Sequence, residues 1–434
     1  MTEQKFEKLS IDKGLSQSKI FCILQDDNGF LWFGTQEGLN RYDGYNFKVY
    51  RKKTNAVNSI PDNYIKCIHK DNEGNLWIGS FNGMLIRFNI ETERFFYINT
   101  DDDPVVSKTK LITSISEDNS GNLFLGTLEG GLKKFDKTSN SVNHFLISKK
   151  FSEHGFFSDI SCTMFDSKGS LWIGTWDGGA YKIIAKDLQE LNYNDKVHKI
   201  NGLSSESINC IYEDSQKNIW IGTKMGINVL DESTEEVIQY KSDINNFNNI
   251  SNDIISCIYE DKLKNIWIGT NNAGLYKYRA NGIIERYNYE ITNLFSLSSD
   301  SICSLFVDRS NVLWIGTSDS GICKHDCEKK SFHSVSKLET DKGSFKIHYT
   351  SSIYKDNKNN LWIGTPKKGV FKIENWGNNF LEKKQNVIFV AGFLQKLVTG
   401  FHEDNNNNIH ATILNNGEIG RIDANNTNVD FTFY

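Results

Sequence analysis

The stretch Leu171-Trp172-Ile173-Gly174-Thr175 recurs in nearly the same letters from one end of the chain to the other. Its aromatic position is held by Trp32, Trp77, Phe124, Trp172, Trp220, Trp267, Trp314 and Trp362, and His410 stands there in a ninth, eroded copy. Successive copies lie 45 to 48 residues apart. A period of that size belongs to blades of a β-propeller or to helical hairpins of the HEAT type. The content of one unit decides. In the fifth, Ser207 to Asp214, Ile219 to Thr223, Ile227 to Leu230 and Glu236 to Tyr240 are short runs rich in Ile, Val, Tyr and Trp. Gly, Asn, Asp and Ser separate them, which is strand-and-turn chemistry. None keeps apolar residues at helical spacing for the ten or so positions a helix needs. The fold class is therefore all-β, with blades of four antiparallel strands.

Blade geometry accounts for the small residues. A Gly follows the central pair in eight copies (Gly34, Gly79, Gly126, Gly174, Gly222, Gly269, Gly316 and Gly364), where backbones must come close. A second Gly opens the third strand, at a turn suited to positive φ, as at Gly38, Gly83, Gly226, Gly274, Gly321 and Gly369. On the first strand a small residue stands four positions before a closing Asp, as Cys22, Cys67, Ser114, Cys162, Cys210, Cys257, Ser304, Ser352 and Gly400. That position marks a tight contact between blades, so five of the eight Cys are expected as buried thiols in separate blades. Cys323 and Cys327 form a C-x3-C with no second pair to complete a tetrahedral set, and no metal is expected.

At 434 residues, 38% hydrophobic and 12% aromatic, the chain can fill a folded β core. Its net charge of −5 is made of mixed signs, so no basic face invites nucleic acid. No run of apolar residues is long enough to span a bilayer, and the start lacks the charged-then-apolar order of a signal peptide.

Lys5 to Ser10 resembles an outer strand without a blade of its own. A propeller removes its sheet edges by closure, so this strand is expected to complete the blade at which the ring shuts. Copies one to seven are regular, whereas the eighth follows a changed connector, Leu338 to Ser344. The expected organisation is a seven-bladed propeller over residues 1–330, with 331–434 as the first two blades of a second propeller and Ser331 to Lys337 as its first strand. One ring of eight or nine blades is the competing arrangement, and it leaves Val429 to Tyr434 and the N-terminal strand contending for one place.

Gly14-Leu15-Ser16, then Gly29-Phe30-Leu31-Trp32-Phe33-Gly34-Thr35, then Gly38-Leu39-Asn40-Arg41-Tyr42-Asp43-Gly44-Tyr45-Asn46-Phe47 closely resemble the start of the two-component regulator propeller family. The resemblance runs from Lys5 to about Ile373. It implies the ligand-sensing, extracellular portion of a membrane receptor, usually two seven-bladed propellers followed by an immunoglobulin-like segment, a transmembrane helix and a cytoplasmic output module. On that resemblance this chain holds a sensing part only, able to bind a signal but not to pass it on.

Strand direction puts the turns between second and third strands, and the connections between blades, on one face. The longest connections are Thr100 to Leu111, Lys149 to Asp159 and Lys186 to Ser207, and binding favours loops on a rigid scaffold. From this face Glu37, Asn82, Glu129, Trp176, Asp177, Asn271, Asn272 and Asp319 are the candidate ligand-binding residues. Trp176 has the flat face that stacks on a sugar ring; the plainer reading packs it against the neighbouring connection. The acidic turns Asp71-Asn72-Glu73-Gly74 and Asp118-Asn119-Ser120-Gly121 lack a complete calcium series and read as tight turns. Nine scattered His give no nucleophile and base pair. A carboxylate site from Glu37, Glu129, Asp177 and Asp319 would make a lyase or glycosidase; otherwise these groups only wet the funnel. The expectation is a non-catalytic sensor of a carbohydrate or other small polar molecule without a cofactor. The alternative is a platform for protein interaction or dimerisation.

Overall fold

The computed structural model describes residues 5–54, 58–100, 111–146, 159–185, 188, 197–231, 236–239, 253–328, 337–340, 343–346, 349–374, 387–414, 418–423 and 429–433. The chain is an all-β propeller protein that divides into two compact units, Met1–Lys329 and Lys330–Tyr434. Among the described residues no helix is long and apolar enough to cross a membrane.

In the first unit seven four-stranded antiparallel sheets follow one another. The first is built in chain order from Ile20–Gln25, Leu31–Thr35, Gly38–Tyr42 and Phe47–Tyr50. The seventh takes Ile302–Val307, Val312–Thr317 and Ile322–Asp326 from one end of the unit and Glu7–Leu9 from the other. Lys8 stands opposite Cys323 in that pairing. The first strands of neighbouring sheets touch, and Ile302–Val307 touches Ile20–Gln25, so the row shuts on itself.

A triplet of side chains makes each contact between sheets. Cys22 pairs opposite Gly34 just past a bulge, and a Cβ on Gly34 would meet Cys22 Sγ at 2.5 Å and Ile65 Cγ2 of the next sheet at 2.9 Å. The missing side chain is thus a socket for a neighbour's Ile. Cys162, Gly174 and Ile208 repeat the arrangement, as do Cys210, Gly222 and Ile255; at the closing contact Gly316 meets Ser304 and Ile20. Burial pushes the Cys22 and Cys257 thiols up to about 12 and that of Cys162 to about 11. All eight cysteines are free.

A second repeated device ties the turn to the core. Asp26 Oδ1 accepts the N–H of Phe30 at 2.9 Å while Oδ2 accepts the indole N–H of Trp32 at 2.7 Å. Trp77, Trp172, Trp220, Trp267, Trp314 and Trp362 donate in the same way to an Asp six residues earlier, at 2.7 to 2.9 Å. Of the two acidic turns, Asp71 spends its carboxylate on its own backbone, the Trp77 indole and Lys137, and Asp118, with Phe124 at the aromatic position, on its own backbone and the Asn122 amide. A cation paired across from the ring commonly covers it: Lys182 and Lys277 lie 4.6 and 4.7 Å from the Trp172 and Trp267 centroids.

The second unit holds two complete four-stranded sheets and a two-stranded hairpin. The hairpin, Lys337–Thr340 with Gly343–Lys346, occupies the changed connector, and its Leu338 packs with Phe371 and Phe389. Of Ser331 to Lys337, residues 331–336 lie outside the described residues. Val429–Phe433 completes the last sheet beside Glu418–Ile422. In this eroded copy His410 Nε2 stands 3.1 Å from Asp404 Oδ2, where the other sheets have an indole. The Asn408 amide, the backbone N–H groups of the turn and this ring hold the Asp404 carboxyl well below the usual range.

Candidate functional site

The rim of the first unit is built by the turns between second and third strands. Six of the seven begin with the Thr of the repeated phrase, whose hydroxyl donates back across the turn, as Thr175 does to Gly179 O at 2.9 Å, and Ser80 takes the part in the second sheet, donating to Met84 O at 3.0 Å. The following glycines have positive φ, including Gly38 at 122°, Gly179 at 93° and Gly321 at 80°. Their N–H groups cross to the next sheet: Gly38 to Asn63 O, Gly179 to Glu206 O, Gly226 to Asp253 O, Gly274 to Asp300 O and, at the closure, Gly321 to Ser18 O, all within 2.8 to 3.0 Å. A Cβ at Gly321 would stand 2.5 Å from Leu9 O, so the stitch requires glycine for space as well as for φ.

The Gly-Leu-Ser segment locks the connection onto this rim. Ser16 N–H donates to Asn40 Oδ1 at 2.9 Å, its hydroxyl lies 2.9 Å from that of Thr35, and Asn40 Nδ2 donates to Ser16 Oγ at 2.8 Å. Ser204, Thr223 and Asn228 repeat the triangle. Before the seventh sheet, Ser298 instead meets the buried thiol of Cys323 at 3.0 Å. Cys323 thus has a structural partner, and Cys327 donates to His325 O, so the C-x3-C spacing brings no shared ligand geometry.

All eight candidate residues sit in these turns and are exposed. They differ in what their polar atoms already do. Asn82 Oδ1 accepts from Ser80 Oγ at 2.6 Å, and Asp319 Oδ1 accepts from Ser320 Oγ at 2.8 Å, so both help to hold their own turns. Glu37 projects beyond a turn whose carbonyl takes the Arg51 Nε–H at 3.1 Å. Glu129 N–H donates to Asp159 Oδ1 at 2.9 Å, while Trp176 N–H donates to Asp159 O at 3.2 Å. Asp159 thereby ties together the rim turns of two neighbouring sheets, that of Glu129 and that of Trp176. Trp176 is 38% exposed. Asn271 N–H donates to Ile254 O at 2.9 Å, and both Asn271 and its neighbour Asn272 are exposed. The long connections read as binding loops fall mostly at 101–110, 147–158, 186–187 and 189–196, outside the described residues.

Two clefts open elsewhere, beside third and fourth strands. One of about 520 Å³ is lined by Trp77, Arg87, Phe96 and Lys137, the other of about 630 Å³ by Trp172, Lys182, His198 and Lys199. Neither includes a rim candidate. What sequence reasoning missed is the first-strand position between the socketed Ile and the small residue. It is Phe21, Lys66, Thr113, Ser161, Asn209, Ser256 and Cys303 in the seven sheets. The signal was there: this position varies where its neighbours repeat.

Six segments, 14–37, 59–82, 202–225, 249–272, 296–319 and 344–367, match the two-component regulator propeller repeat. The whole chain aligns with the extracellular domain of a hybrid two-component system of B. thetaiotaomicron at 25% identity and a TM-score of 0.64, covering 54% of that chain. A second such domain from that organism aligns at 21% identity and a TM-score of 0.61, again over 54% of its length. A segment of 55 residues, 13% of this chain, is 46% identical to 4% of histidine kinase P4 of Formosa agariphila. The virginiamycin B lyase of Staphylococcus aureus shares the fold at 14% identity and a TM-score of 0.57, over 75% of this chain and 99% of that one. The chain spans about half the length of the solved extracellular domains it matches.

Proposed function

We propose that this chain, six segments of which match the two-component regulator propeller repeat, is the ligand-sensing part of a signal-transduction receptor, displayed on the extracellular side of a membrane. Its ligand is a small polar molecule, a carbohydrate, which it binds on the rim without turning it over. In this reading residues 1–330 form a complete seven-bladed ring and 331–434 contribute the first blades of another. The observation that carries the proposal is the likeness, over the full chain, to the extracellular domain of a hybrid two-component system. The rim supports it with an exposed indole beside carboxylates and amides on a stitched scaffold. A thermal-shift screen with oligosaccharides tests it: a stabilising compound whose effect is lost in Trp176→Ala is expected, and silence from every compound would refute it.

A second reading, a platform for receptor dimerisation, draws on one apolar loop of the first unit. There Ile291 is 84% and Leu294 82% exposed, next to Phe295, whose carbonyl accepts the N–H of Phe6. Sedimentation of the wild type and of a double variant Ile291→Ser, Leu294→Ser decides it, since only an interface there would be lost.

A further inference from the structure

We infer that the rim, between its first and second sheets, holds a subsite for a small cyclic acid, with aromatic rings for its flat face and two lysines for its carboxylate or sulfate. The inference rests on the sensor reading above and narrows its ligand to an acidic sugar.

Phe21 lies at the variable position of the first inner strand and stacks on Tyr64 of the second sheet, with centroids 4.8 Å apart and planes at 29°. Tyr64 meets Phe81 at 5.1 Å, and Phe81 is 49% exposed in the rim turn of that sheet. The three rings form a continuous platform from the inner strand to the rim. Lys19 leads into the first inner strand and Lys66 occupies the variable position of the second; each Nζ stands 5.2 Å from the Phe21 centroid. Both side chains are half-buried.

Several other lysines of this unit are paired with carboxylates: Lys70 with Asp27 at 2.6 Å, Lys137 with Asp71 and Glu117 at 2.9 and 2.8 Å, Lys199 with Glu206 at 2.9 Å. Among the described residues neither Lys19 nor Lys66 has an ion-pair partner. Two like charges thus face one ring in a partly desolvated place, where a field of one sign concentrates. The Cys303 thiol of the seventh sheet lies within reach of both: burial pushes it up, Lys19 and Lys66 pull it down, and the Asp319 carboxylate of the rim raises it by a smaller amount. An anion between the ammonium groups relieves their repulsion, and charge-assisted hydrogen bonds hold it. A sugar's C–H face stacks on the platform. Asn82 and Asp319 are exposed in the rim turns of the second and seventh sheets, which flank the first.

The test is calorimetric titration of the intact chain with glucuronate, glucose 6-sulfate, glucose and inorganic sulfate, then with neutral oligosaccharides. The two acidic sugars are expected to bind at least about tenfold more tightly than glucose and than inorganic sulfate, with affinity that falls as salt rises. Lys19→Gln and Lys66→Gln each weaken the acids about tenfold and leave neutral sugars alone. Phe21→Leu weakens the sugars but not inorganic sulfate. Should a lysine variant fail to fold, the salt dependence of the wild type and Phe21→Leu still decide. Glucose binding as well as glucuronate, inorganic sulfate binding as well as glucose 6-sulfate, or wild-type affinity indifferent to salt overturns the inference. Neutral oligosaccharides bound through Trp176, with acids ignored, overturn the subsite and leave the sensor reading standing. Silence from the entire panel overturns both.

Discussion

The bond from indole to carboxylate is the most exacting element of the repeat, and the sixth sheet shows what it is worth. Asp261 is 3% exposed and accepts from the Trp267 indole at 2.8 Å, from the N–H groups of Leu263 and Asn265 at 2.9 Å each, and from the Asn265 amide. It also faces the buried Lys277 ammonium; burial pulls that group's pKa down and Asp261 draws it back up. Asp261→Ala orphans an indole N–H with no solvent to turn to, at about 1–3 kcal/mol, and strips a buried cation of its counter-charge. The total is roughly 3–5 kcal/mol, and Asp261→Asn, which keeps an acceptor and loses the charge, should fall between. The third sheet is a natural control: Phe124 replaces Trp, so Asp118 accepts only from Ser120 and Asn122. Asp118→Ala should cost only the turn, about 1 kcal/mol. Urea unfolding of the single variants and of Asp261→Ala with Trp267→Phe measures a coupling of about 1–3 kcal/mol. Additive losses in the double variant, or an Asp118→Ala as damaging as Asp261→Ala, would refute the reasoning.

The closing strand depends on Phe6, which is 2% exposed and 5.1 Å from His325 and 5.7 Å from Tyr287, so Phe6→Ala should lower stability by about 3–5 kcal/mol in the same urea assay. Burial pushes the Asp71 and Glu117 carboxyls up, but the Trp77 indole, His69 and the Lys137 ammonium outweigh it and both titrate below their ordinary values. Their contribution is therefore complete above the normal carboxylate range and is lost as pH falls through the lower folded values. Lys137→Met should destabilise at neutral pH, with the gap to wild type narrowing in acid; a constant gap from pH 7 to pH 3 in thermal melts would count against it. The inner-strand thiols Cys22, Cys162 and Cys257, raised to about 12, 11 and 12, should ignore an aromatic disulfide reagent at pH 8 until guanidinium unfolds the chain. Rapid colour from the native protein would mean these strands open readily.

The architecture was legible because its determinants are local and copied. Ile219 to Thr223 declares a buried strand, Gly226 a turn with φ of 88°, and Asp214 a capped turn, all within one unit that the next repeats. Legibility fades where partners come from different units. Cys22 and Gly34 both showed as small, but the reason, the Ile65 methyl seated between them, belongs to the next sheet. Ser304 donates to Ile20 O across 284 residues, and no pattern in either segment names the other. A shorter separation hid the lysine pair as well. Lys19, Phe21 and Lys66 are unremarkable letters in two segments, and only the packing of the second sheet on the first turns them toward one ring. Phe81 and Trp176 looked alike as aromatics in rim turns, and both are exposed, yet Phe81 also ends a stack of rings because Tyr64 and Phe21 stand behind it. In a ring of copies the scaffold is set by what repeats, and selectivity comes from what differs at one position from strand to strand. The residues worth testing first are therefore Lys19, Phe21 and Lys66, where the variation points inward, as well as the rim turns, where it points out.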